Sequence, residues 1–169
     1  MREEIINRVA NSKLKNFDLE DYYAPGIRSQ IDISQWLMEG LVLVESRFRE
    51  SVKTTDFTAY KNHHVALHCS TDAIIPPWAW MLLQSELSSV AQTVVYGSLE
   101  DLETILYKKV IDTIDLTDYQ DLPVIVKGCA KKPVPVAAYL MITEKLQNIA
   151  SSVMYGEACS SVPVYKRRK

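Results

Sequence analysis

Residues 63 to 80, HHVALHCSTDAIIPPWAW, hold the chain's three histidines, one of its three cysteines and an aspartate, followed by two prolines and two tryptophans. Thiolate, imidazole and carboxylate are the side chains that bind metals and carry nucleophilic chemistry. The cysteines are Cys69, Cys129 and Cys159. Their count is odd and no CxxC pair exists, so free thiols in a reducing compartment are expected rather than a disulfide framework.

Thiolates are soft ligands that select zinc, copper(I) or iron–sulfur species. If the three cysteines converge, they supply three ligands for zinc, iron or an iron–sulfur cluster. His68 or Asp72 is then the candidate for a fourth ligand, since a closed zinc site wants four. Strand alternation points His68 away from Cys69, whereas Asp72, in a loop, has more freedom. The spacing matches no short ligand signature, and lone cysteines commonly pack as small hydrophobes. A second chemistry starts from Cys69 alone. A thiol at a strand end just ahead of a helix is placed where the helix dipole lowers its pKa. No arginine follows in that loop, which disfavours phosphoryl transfer, and no resolving cysteine is near in sequence. There is also no GxGxxG, P-loop or GxSxG.

The elements that must position these residues follow from periodicity. HHVALHC, QTVVYG and LPVIVKGC are short, nearly continuous apolar runs that predict buried strands. Between them, PPWAWMLLQSELSSV opens with prolines suited to a first helical turn. SLEDLETILYKKVID carries Ser98 as N-cap, with acids early and lysines late. PVPVAAYLMITEKLQNIASSVMYG reads as one long helix closed by Gly156. Earlier, residues 2 to 11 fit a short helix, and LKNFDLED and SQIDIS fit two strands around the Pro25-Gly26 turn. Ser34 is placed to cap a short helix ending at Gly40, and a helix starts near residue 45 with Phe48 and Val52 on its buried side. His63 and His64 are expected near an exposed strand start. Trp78 and Trp80, two apart, should face different sides of their helix.

Alternating strands and helices predict an α/β fold, a two- or three-layer domain with a mainly parallel central sheet and short N-terminal strands. The expectation is one domain over residues 1–169, with 1–44 less regular, 157–169 an irregular tail, and no internal repeat. In a single parallel sheet, Cys69 and Cys129 would both lie at the C-terminal strand edge, where open α/β folds bind ligands.

Composition narrows the partners. Nineteen basic against 21 acidic residues, net −2, is not the basic excess of a nucleic-acid binder. No run reaches the length of a membrane span and the N-terminus is polar, so a cytoplasmic protein is expected.

The segments HCSTDAIIPPWAWMLL, KGC and YGEACSSVPVYKR resemble an uncharacterised bacterial domain-of-unknown-function family. Genes of that family often lie beside those of the sulfur-mobilisation pathway for iron–sulfur cluster assembly. Each segment contains one of the cysteines. The resemblance implies no activity and no active site. It does imply iron–sulfur assembly proteins as partners, and a metal- or cluster-binding accessory as the leading expectation. Two other classes stand beside it: a non-catalytic interaction module with structural cysteines, which docks through PPWAW and the tail, and a thiol enzyme using Cys69.

Overall fold

The computed structural model describes residues 13–128 and 131–168. Its strands are β1 (Lys15–Asp18), β2 (Arg28–Asp32), β3 (His64–His68), β4 (Thr93–Tyr96), β5 (Pro123–Lys127), β6 (Ser152–Glu157) and β7 (Ser160–Lys166). Its helices are α1 (Glu45–Thr54), α2 (Pro77–Leu87), α3 (Leu99–Thr113) and α4 (Val136–Gln147). The expected helix at residues 2 to 11 lies outside the described residues.

The α/β class and the parallel strands are as the sequence predicts, but the strands divide between two sheets. The chain forms two compact units. A central unit, Ala24–Ile105, holds the sheet β2-β3-β4, parallel throughout. A terminal unit, Met1–Tyr23 with Leu106–Lys169, holds β1-β5-β6-β7, in which only β7 runs antiparallel. α3 crosses the boundary in sequence.

Each unit has its own core, built by the same local rules. In the central unit α1 buries Phe48 and Val52, four apart, and α2 buries Ala79, Leu83 and Leu87. These pack on Val65 and Leu67 of β3. In the terminal unit α4 buries Ala138, Ile142 and Leu146 against Val124 and Val126 of β5. Pro76 and Pro135 are the N-caps of α2 and α4, where a missing N–H costs nothing.

These correspondences extend through the chain without insertion or deletion, which overturns the expectation of no internal repeat. Phe48 matches Tyr107, Val52 matches Ile111, Leu83 matches Ile142, Tyr96 matches Tyr155 and Gly97 matches Gly156, all at one constant offset. The irregular connections match too. Asp56 Oδ1 accepts from the Thr58 N–H at 2.9 Å, and Asp115 Oδ1 from the Thr117 N–H at 2.9 Å. Asn62 and Asp121, both at positive φ, each send an N–H 2.9 Å to the carbonyls of Val90 and Ile149. Asn and Asp tolerate that left-handed conformation better than other side chains bearing a Cβ. The strands before the repeat agree as well: Asp18 and Asp32 close β1 and β2 by accepting from the N–H two residues on. The repeat is conserved in burial and backbone geometry but rarely in residue identity.

Three local expectations change for related reasons. The cap near residue 34 is Asp32, which accepts from the Ser34 N–H and starts a 3-10 turn over Ile33–Trp36 rather than a helix reaching Gly40. The long helix through Gly156 stops at Gln147, and SVMYGE becomes β6, the counterpart of TVVY in β4. The tail is not irregular. Residues 160–166 fold back as β7, whose Pro163 sits beside the register shift in the β6 pairing. An edge strand with a bulge is the one sheet position that tolerates proline.

Candidate functional site

Parallel pairing of β2, β3 and β4 brings their C-terminal ends to one edge. A cleft of about 530 Å³ opens there. Gln30 comes from β2, His68 and Cys69 from the end of β3, and Tyr96 and Gly97 from the end of β4. Thr71 and Ile75 come from the loop after β3, Trp80 from α2, and Ser98 and Asp101 from the start of α3.

Asp32 anchors the loop that follows β3. Its Oδ1 accepts from the N–H groups of Ser34 at 2.9 Å and Ser70 at 3.1 Å, tying the end of β2 to the loop that carries Cys69. Burial alone would push this carboxyl up. The bonds from the Ser70 hydroxyl, from the N–H and hydroxyl of Ser34 and from the Ser70 N–H outweigh it and hold the carboxyl well below the usual range. A lowered folded pKa contributes stability above the ordinary value of 3.8, and that contribution is lost as pH falls toward the folded value. Asp32→Ala is therefore expected to cost about 1–2 kcal/mol at neutral pH, as a lost cap does. The gap to the wild type should narrow as urea titrations move from pH 6 to about pH 2. A gap that widened in acid would contradict this role.

Cys69 is half-buried, with its Sγ 3.4 Å from Thr71 Oγ1. The Thr71 hydroxyl spends its proton on the Gly40 carbonyl at 2.6 Å, so the thiol is the donor in this contact. No base is hydrogen-bonded to the sulfur among the described residues. His68 lines the same cleft, and its imidazole makes no hydrogen bond among the described residues. Alternation would have pointed it away from Cys69, but Cys69 lies just past the last strand residue, where the chain turns and alternation no longer applies.

Asp101, one of the acids in the first turn of α3, belongs to the cleft wall. Its Oδ2 accepts from the N–H and hydroxyl of Ser98, both at 2.7 Å, and the Ser98 hydroxyl in turn accepts from the Asp101 N–H at 3.1 Å. This reciprocal cap holds the Asp101 carboxyl below its ordinary value through the two Ser98 bonds. An ionised carboxylate thus occupies the α3 N-terminus and disfavours a phosphate or other anion there. Gly97 makes the approach possible: at φ +132 a Cβ would lie 2.5 Å from Asp101 Oδ2. The apolar wall is the edge-to-face pair of Trp80 and Tyr96, 5.0 Å apart. Trp78 faces the other way, as expected, against Phe48 at 5.7 Å.

The equivalent strand end in the terminal unit is built differently. His68 is replaced by Lys127, whose Nζ lies 3.4 Å from Asp18 and 3.7 Å from Glu157. Cys69 is replaced by Gly128, where a Cβ would stand 2.9 Å from the Tyr139 hydroxyl. The aromatic pair survives as Tyr139 and Tyr155, 5.8 Å apart. At this edge the terminal unit has an ion cluster around Lys127 and the Tyr139 hydroxyl close to Gly128, and the central unit has a cleft lined by a thiol.

The remaining candidates fall elsewhere. Asp72 is exposed and outside the cleft lining. Cys159 is exposed in the β6–β7 turn of the terminal unit, and Cys129 lies outside the described residues. β3 and β5 belong to different sheets, so the argument that Cys69 and Cys129 share one strand edge does not hold. Among the described residues no group of three His, Cys, Asp or Glu side chains could hold a metal ion. His63 bonds Ser29 through Nδ1 at 2.9 Å. His64 is not at an exposed strand start: it is 2% exposed, its Nε2–H donates to the Pro25 carbonyl at 2.8 Å, and its Nδ1 has no partner among the described residues. No described helix is long and apolar enough to cross a membrane.

Neither curated proteins nor solved structures gave a match to this chain. A family model does match, over residues 3–167, and the chain belongs to that family, described as Protein of unknown function (DUF2480).

Proposed function

We propose that the protein is a non-catalytic accessory of iron–sulfur cluster assembly that takes a soft metal ion as cargo at Cys69, with His68 as second donor. The observation that carries this reading is the contrast between the two copies of the fold. In the central unit a cleft opens at the strand ends, and a thiol and an imidazole stand where the other copy has Gly128 and the ion-paired Lys127. Sulfur and imidazole nitrogen together suit zinc and iron(II). Two donors are too few for a closed structural zinc site, which takes four, and exchangeable positions suit an ion that is passed on. The carboxylate of Asp101 makes the cleft favour a cation over an anion. The assignment to iron–sulfur assembly rests on the family resemblance alone.

The test is equilibrium dialysis of the anaerobic full-length protein against zinc and iron(II), with acid-labile sulfide measured in the same samples. One equivalent of metal is expected in the wild type. It should be lost in Cys69→Ser, weakened at least about tenfold in His68→Ala, and retained in Cys159→Ser. Metal binding that survived Cys69→Ser, or no binding at all, would remove this reading. Sulfide in stoichiometric amount would mean that the species held is a cluster rather than an ion.

A further inference from the structure

We infer that the open edge of β4 is the contact surface of a homodimer, in which β4 pairs antiparallel with β4 of a second copy. The internal repeat supplies the first argument. β4 and β6 are counterparts, and the edge of β6 that faces away from β5 is covered by β7, an antiparallel strand. β4 carries no strand on the same edge among the described residues. The position therefore accepts an antiparallel strand in one copy and lacks one in the other.

Sequence at the sheet edges supplies the second. Uncovered strands are normally protected by charge or proline. β1 has Lys15 and Asp18, β2 has Arg28 and Asp32, and β7 has Pro163 and Lys166. β4 is Thr93-Val94-Val95-Tyr96, with neither charge nor proline, and Gln92, Gly97 and Ser98 around it are uncharged too. A neutral, β-branched edge with no strand beside it among the described residues is a liability unless something covers it.

The third argument identifies the occupant. Beside this edge lies an apolar groove of about 460 Å³ whose lining includes Trp80, Met81, Gln84, Val94 and Tyr96 and contains no charged residue. Met81 is 69% exposed and Tyr96 70%. An isologous contact sets each residue near its own copy or a neighbour's, so any charge would meet its like. This surface is free of that penalty, and antiparallel pairing of one strand with itself satisfies the two-fold axis. The result is one continuous sheet through both central units.

Sedimentation equilibrium of the full-length protein under reducing conditions tests the inference, the reductant excluding disulfide dimers through Cys159. A dimer is expected. Val95→Lys places like charges across the two-fold pairing and should raise the dissociation constant at least about tenfold. Met81→Lys should act in the same direction and, being exposed, keeps the test valid if Val95→Lys fails to fold. Leu140→Lys, the counterpart of Met81 on α4 and 68% exposed, should leave the dimer unchanged. A monomer at all concentrations would overturn the inference. So would a dimer indifferent to Val95→Lys and Met81→Lys, or one that Leu140→Lys dissociates.

Discussion

Replacing Glu103 with alanine is expected to destabilise the protein by about 3–5 kcal/mol. Glu103 on α3 accepts from Arg28 on β2 twice, from Nε at 2.6 Å and from Nη2 at 3.2 Å, while Nη1 reaches the Gly26 carbonyl at 2.7 Å. The two side chains are only 7% and 11% exposed. A surface pair of this kind would be worth less than about 1 kcal/mol. Here the loss is larger because removing the carboxylate takes the counter-charge and two hydrogen bonds from a guanidinium held away from water. The same reasoning gives a second result: Arg28→Met with Glu103→Leu should recover most of the stability, because no charge is left buried. Urea unfolding with an unchanged slope measures both variants. A Glu103→Ala variant within about 1 kcal/mol of wild type would show that water reaches Arg28.

Phe48→Ala is the other large effect expected, about 3–5 kcal/mol from lost burial and the cavity left behind. Phe48 is fully buried and sits edge-to-face between Trp36 at 6.0 Å and Trp78 at 5.7 Å. The protein's three tryptophans, Trp36, Trp78 and Trp80, all lie in the central unit. Tryptophan fluorescence thus reports that unit alone, while far-ultraviolet circular dichroism reports both. The fluorescence midpoint of Phe48→Ala should fall by the amount given. If dichroism keeps a second transition at the wild-type midpoint, the units unfold separately, and a single stability value does not describe the chain. An unshifted fluorescence transition would exclude Phe48 from the core.

The sequence by itself determined the local elements whose residues carry their own instructions. Apolar runs gave β3, β4 and β5, four-residue spacing gave α1, two prolines marked the start of α2, and Ser98 with Asp101 marked the start of α3. These signals act within a few residues, so they survive without tertiary context. It also pointed to the end of β3, where Cys69 and His68 line the cleft.

Tertiary structure decided the rest. Whether β3 and β5 share a sheet depends on which strands pair, and pairing is set by burial among residues far apart in the chain. That pairing places Cys69 at an open edge of its own unit and removes the edge it would have shared with Cys129. The repeat was hidden because it is preserved in burial, capping and φ while the identities drifted: Phe48 against Tyr107, Leu83 against Ile142, Asn62 against Asp121. β6 and β7 were missed because SSVMYG continues a helical apolar pattern and Pro163 argues against a strand, until an antiparallel edge position accommodates it. Asp101 looked like an ordinary acid in a first helical turn. Only the meeting of three parallel strand ends with the start of α3 makes it a wall of the cleft.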